Sequence, residues 1–114
     1  MIKDSLIFLK HILEAIIDIE ESTKNLSKRE FKENKDVKDA TVRRLEIIGE
    51  AVKNIPNLFK EKYPQIPWKE IIGTRDKIIH HYFGVDLDIV WDIVKINLPD
   101  LKNKIEKIIK ENFP

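Results

Sequence analysis

Apolar residues recur through the first twenty positions in alternating steps of four and three. Ile2, Leu6, Leu9, Leu13 and Ile16 form one row, and Phe8, Ile12, Ala15 and Ile19 form a second beside it. This period predicts a helix over residues 2–21. At roughly 100° per residue the two rows cover an arc of about 200°, against the stripe of somewhat over 100° that a surface helix needs. Such a helix is expected to pack on two sides. A core on one side and a partner subunit on the other would satisfy both rows.

The pattern then turns polar over residues 20–38. Within it Ser27-Lys28-Arg29-Glu30 has the form of a capping box, which predicts a short helix anchored by Leu26 and Phe31. A second long helix is expected over 36–54, with Val37, Ala40, Ile48, Ala51, Val52 and Ile55 on one face and Pro56 closing it. A brief helical turn at 58–63 leads into Tyr63-Pro64-Gln65-Ile66-Pro67-Trp68, where two prolines force an extended connector. The next helix should start near Trp68 and stop at Gly84, with Phe83 its last apolar anchor. Asp86 is placed to cap a helix over 87–97 carrying Ile89, Val90, Ile93 and Val94. Pro99 should bend or restart the chain before a last amphipathic helix with Leu101, Ile105, Ile108 and Ile109. No strand alternation and no repeat interrupts this order. The fold class expected is all-α, an up-down bundle of four to five helices in one domain over residues 1–114.

Composition agrees. Only three glycines occur, whereas 17 Lys and 20 Ile make up about a third of the chain, a balance that favours helices over a turn-rich β fold. With 42% hydrophobic and 36% charged residues the sequence reads as globular. The absence of cysteine excludes disulfides, thiolate catalysis and cysteine-based zinc sites. Charges at Lys3, Asp4, Lys10, Glu14 and Asp18 break the N-terminal apolar run well short of the roughly 18 residues that span a membrane, and no signal-peptide layout is present. A cytoplasmic protein without a membrane partner is therefore expected. A formal net charge of +1 supplies no overall field toward nucleic acid, so RNA binding would need a local patch.

Reactive side chains concentrate in one place. Arg75-Asp76-Lys77-Ile78-Ile79-His80-His81-Tyr82 holds two of the three histidines, one of four arginines and one of two tyrosines. A solvated helix end would collect cations with no function attached, and composition alone leaves the two explanations evenly matched. Helical geometry separates the residues. Arg75 and Tyr82 are seven apart and share a face, whereas His80 stands about 140° round from Arg75. One copy of this helix does not easily close Arg75 and His80 on a single small atom. Two copies across a two-fold axis could, so a homodimer is expected on functional grounds as well. The adjacent His80 and His81 cannot both face one metal ion, and neither a His-x-x-x-His spacing nor a glycine-rich phosphate loop exists. Arginine, histidine and tyrosine suit phosphate chemistry without a metal or other cofactor: the guanidinium neutralises a phosphoryl oxygen and the imidazole moves protons.

Arg75, four residues, His80, one residue and Tyr82 match the Arg-x4-His-x-Tyr signature, and the sequence resembles the HepT-like proteins of the wider HEPN group. The likeness extends to Arg44-Leu45-Glu46-Ile47-Ile48-Gly49-Glu50-Ala51, to Ile66-Pro67-Trp68 leading into Ile72-Gly73-Thr74-Arg75, and to Tyr82-Phe83-Gly84-Val85-Asp86 with Ile89-Val90-Trp91. It covers about residues 3 to 110. The resemblance implies a HEPN-like homodimer whose cleft lies at the two-fold axis, with Arg75 and His80 catalytic and Asp76, His81 and Tyr82 supporting or contacting RNA. It also implies a ribonuclease toxin acting on RNA, with tRNA the expected target. The partner implied is a minimal nucleotidyltransferase antitoxin, MntA-like, that silences the toxin by transferring AMP from ATP to Tyr82. One departure stands out: many relatives carry Asn after the motif arginine, and this chain has Asp76. A carboxylate there is expected either to weaken RNA binding or to hold Arg75 in place. The rival readings are a non-catalytic HEPN adaptor or nucleotide-binding partner of a nucleotidyltransferase, and a purely structural helical dimer.

Outside this stretch, Trp68 and Trp91 are expected as core anchors more than as base-stacking residues, and His11 as a rim or interface residue. Arg43, Arg44 and Lys53 form a solvated face or a basic track, with Glu50 a candidate ion-pair partner for one of the two arginines.

Overall fold

The computed structural model describes residues 2–80 and 86–112, with side chains described for 4–77 and 86–112. All regular structure among them is helical. Helix α1 spans Ile2–Thr23, α2 Lys28–Glu33, α3 Lys35–Asn54, α4 Asn57–Lys62 and α5 Trp68–His80. The C-terminal run comprises α6, Leu87–Asp92, a π-helical turn, Ile93–Asn97, and α7, Leu98–Asn112. Counted as rods, these are four long helical runs and two short ones among the described residues, so the expected all-α bundle is what forms.

Helix starts follow local chemistry. Ser27 caps α2: its hydroxyl accepts from the Glu30 backbone N–H at 3.1 Å, and the Ser27 N–H donates back to the Glu30 carboxylate at 2.9 Å. That reciprocal pair is the expected capping box, and it holds the exposed Glu30 carboxyl below its ordinary pKa. Asn34 closes α2 and caps α3 by accepting from the Val37 N–H. Asp86 caps α6, accepting from the N–H groups of Asp88 and Ile89.

Helix α3 lies against both α1 and α5, and α7 lies against α1. Leu6, Leu9, Ile12, Ala15, Ile16 and Ile19 of α1 are all buried, among them residues from both predicted rows. The two-sided packing expected of α1 is thus met largely within the chain, by α3 and α7. What remains outside is narrower: Ile7 and Ile17 are exposed, and Phe8 and Leu13 are half-buried. The α3 face runs through Thr41, Val42, Leu45, Ile48, Gly49, Ala51 and Val52, a wider seam than predicted because α3 is sandwiched between two neighbours.

Pro99 does not restart the chain. The helix passes from α6 to α7 without a break by widening into the π turn just before the proline, and Leu98 donates to the Ile93 carbonyl five residues back. A proline removes one backbone donor and its ring collides with the carbonyl four residues earlier; one wider turn absorbs both defects. The predicted stop at Gly84 and the anchor Phe83 lie outside the described residues.

Candidate active site

Helix α5 is fixed at its start by Trp68, which is buried and whose indole N–H donates to the carbonyls of Lys60 and Tyr63 at 3.1 and 3.0 Å. This is the core role expected of it. Trp91 is half-buried, with its ring 5.3 Å from that of Phe31 and the Lys95 ammonium 4.7 Å from its centroid. Anchored by Trp68, α5 runs about two turns along α3 before reaching Arg75.

There the two helices approach unusually closely. Gly49 of α3 faces Arg75, and a β-carbon added at Gly49 would overlap the Cβ and Cγ of the arginine. Glycine is therefore required here by space, not by backbone conformation, since no glycine among the described residues has positive φ. The close approach lays the Arg75 side chain across α3. Its Nη2 donates to Glu50 Oε2 at 2.7 Å and its Nη1 to Asp76 Oδ1 at 3.3 Å. The arginine side chain is 21% exposed, against 54% for Glu50 and 50% for Asp76. Its Nε is buried without a hydrogen-bond partner among the described residues.

Beside this pair runs a groove of about 440 Å³ between α1, α3 and α5, within the size range of small-ligand sites. Arg75 and Glu50 form part of its wall with Phe8, His11, Arg43 and Glu46. His11 is exposed there, edge-on to Phe8 with ring centroids 6.5 Å apart. Among the described residues no three His, Asp or Glu side chains gather closely enough to hold a metal ion, and no helix is long and apolar enough to cross a membrane.

The structure thus places two of the predicted site residues, Arg75 and Asp76, in contact, with the Asp76 carboxylate 3.3 Å from Arg75 Nη1. The α-helical backbone continues through His80, so the five-residue offset from Arg75 still amounts to about 140°. His81 and Tyr82 lie outside the described residues, as does the side chain of His80. One expectation is corrected. Glu50 pairs with neither Arg43 nor Arg44: Arg43 bonds Glu46 at 3.5 Å and Arg44 reaches Ser22 Oγ at 3.5 Å, leaving Glu50 to Arg75 of the neighbouring helix. Sequence reading named Glu50 as an ion-pair candidate and His11 as a rim residue, but placed neither beside Arg75. The signal for Glu50 was the glycine beside it.

A family model described as "Ribonuclease HepT-like" matches residues 12–108. The chain belongs to the HepT-like ribonuclease family. Over 109 residues this HepT-like chain is 53% identical to a Methanocaldococcus jannaschii protein named "Putative RNase", covering 96% of this chain and 90% of that one. A second protein of that organism, "Gamma-glutamylcyclotransferase and putative RNase", is 52% identical over 111 residues, which are 97% of this chain but 50% of the relative, so the chain spans half of that protein's length. "Probable ribonuclease HepT" of Thermococcus cleftensis is 50% identical over 103 residues, 90% of this chain and 94% of that one. No solved structure matches the chain.

Proposed function

We propose that the protein is a metal-independent endoribonuclease, the toxin of a toxin–antitoxin pair, acting in the cytoplasm on tRNA or other cellular RNA. The observation that carries this reading is the Arg75 guanidinium, held by two carboxylates at a groove wall one and a half turns before His80 on the same helix, in a chain of the HepT-like family. His80 takes the proton of a ribose 2′-hydroxyl, or gives one to the departing 5′-oxygen. The 2′-oxygen attacks phosphorus, the bond to the 5′-oxygen breaks, and a 2′,3′-cyclic phosphate remains. Arg75 stabilises the charge that builds on the phosphoryl oxygens. Because Arg75 and His80 stand about 140° apart on one helix, each working site takes Arg75 from one copy and His80 from the other across a homodimer seam. His81 and Tyr82 line the same cleft and contact RNA.

Regulation follows on Tyr82. A minimal nucleotidyltransferase antitoxin transfers AMP from ATP: the phenolic oxygen attacks the α-phosphorus, pyrophosphate leaves, and the phenolic proton is lost. The product puts bulk and a negative phosphodiester at the cleft mouth, which repels RNA.

The test incubates the purified protein with cellular RNA in the presence of a chelator. Cleavage leaving cyclic phosphate ends, reduced roughly 10²–10⁴-fold in Arg75→Ala and His80→Ala variants, is the expected result; variants that cleave as fast as the parent overturn the assignment. Adding ATP and the cognate nucleotidyltransferase should shift the mass by AMP on Tyr82 and stop cleavage, and Tyr82→Phe should escape both.

A further inference from the structure

We propose that Glu50 is a positioning residue for Arg75, aiming the guanidinium from across the helix interface; the inference rests on the ribonuclease reading above. The two anchors on Arg75 are not equivalent. Asp76 is the next residue on the same helix, at 3.3 Å, and by itself holds the guanidinium only near its own backbone. Glu50 comes from α3, 25 positions away in sequence, and its 2.7 Å contact is a short charge-assisted bond of the strong kind. It therefore decides which side of α5 the long arginine side chain lies on. Gly49, immediately before it, opens the space that lets Arg75 reach across. The two anchors use one hydrogen on each Nη and leave the second on each uncommitted by any described residue, a pair suited to a phosphoryl oxygen.

A carboxylate beside an arginine could also act as a brake by competing with phosphate. Exposure decides between the roles. Glu50 is 54% exposed, so water and salt screen its repulsion of an incoming anion. Arg75 is only 21% exposed, so its direction is set by its protein partners and not by solvent. Positioning should therefore outweigh repulsion.

The experiment is a double-mutant cycle on RNA cleavage by the full chain, comparing the parent, Glu50→Ala, Arg75→Ala and the double variant. Glu50→Ala should lower kcat about 10- to 100-fold, the scale of a misplaced catalytic group, while KM stays within about threefold. Glu50→Gln, which keeps an acceptor of the same shape, should retain more activity. The double variant should be no slower than Arg75→Ala alone, because Glu50 acts only through the arginine. Losses that multiply, or Glu50→Ala cleaving at least as fast as the parent, overturn the proposal. Circular dichroism and urea midpoints separate a folding defect from a positioning one, and Glu50→Gln carries the cycle should Glu50→Ala not fold. If the parent itself cleaves no RNA, it is the ribonuclease reading that falls; cleavage with multiplicative losses removes only the role of Glu50.

Discussion

Glycine inside a helix ordinarily weakens it by roughly 0.5–1 kcal/mol relative to alanine, so Gly49→Ala in α3 would be expected to stabilise on propensity alone. At this position the sign should reverse. The added methyl would meet the Cβ and Cγ of Arg75, which are close to the backbone and cannot swing aside as a side-chain tip can. Helices α3 and α5 would have to part, and overpacking of this kind costs typically about 1–3 kcal/mol. Urea denaturation should show a lower midpoint with an unchanged slope, and RNA cleavage should fall with it because Arg75 is displaced from Glu50. A midpoint that rises would mean the helices separate freely. At this scale the sequence was legible in part. Arg75 stood out through its company of histidine and tyrosine, and Asp76 through its departure from the family pattern. Glu50 was read against Arg43 and Arg44, its neighbours along the chain, because helical spacing describes only one helix at a time. Its real partner depends on how closely two helices approach, which period and composition do not encode.

Elements are joined here by charge as well as by apolar faces. Asp88 in the first turn of α6 accepts from Lys32 at 3.0 Å and lies 3.2 Å from Lys28, tying α2 to the C-terminal run. Hydrogen bonds from Lys32 and then Lys28 hold its carboxyl below the ordinary carboxylate value. A folded-state pKa below the unfolded one gives stability that is fully present above the unfolded value, about 4, and is lost as pH falls through the folded value. Asp88→Asn should therefore unfold at lower temperature than the parent near neutral pH, and the two melting curves should converge as the solution is acidified below the ordinary carboxylate range. Since all three side chains are about half exposed, the gap should also shrink in high salt. A gap that persists in acid would place the cause in packing. Helix boundaries were the most legible feature of the sequence, because Ser27, Asp86 and the prolines act locally. Pro99 is the exception: it was readable as a disruption, but whether a helix breaks or widens into a π turn depends on what holds it beyond the proline. Leu98, Leu101, Ile105 and Ile108 are buried in the core, and that burial keeps the C-terminal run whole.

For the molecule as a whole, the breadth of apolar surface on α1 suggested a second subunit, yet α3 and α7 of the same chain cover most of it. The case for two copies now rests on α5. Its helical backbone sets Arg75 and His80 about 140° apart, an arc that one copy does not easily close on one phosphate. This makes a prediction that distinguishes a shared site from a self-contained one. Arg75→Ala and His80→Ala proteins, each inactive alone, are mixed under conditions that let subunits exchange. In a mixed dimer of the shared kind, one site receives Arg75 from one copy and His80 from the other and is intact, while the second site lacks both. With free exchange half the dimers are mixed and each carries one good site of two, so activity should return to about one quarter of the parent's. A self-contained site regains nothing, since every copy lacks one group. Cross-linking the subunits before mixing should abolish the recovery, which ties it to exchange and not to residual activity of either variant. Recovery that survives the cross-link, or none at all in a mixture shown by mass to contain mixed dimers, would return both residues to a single chain.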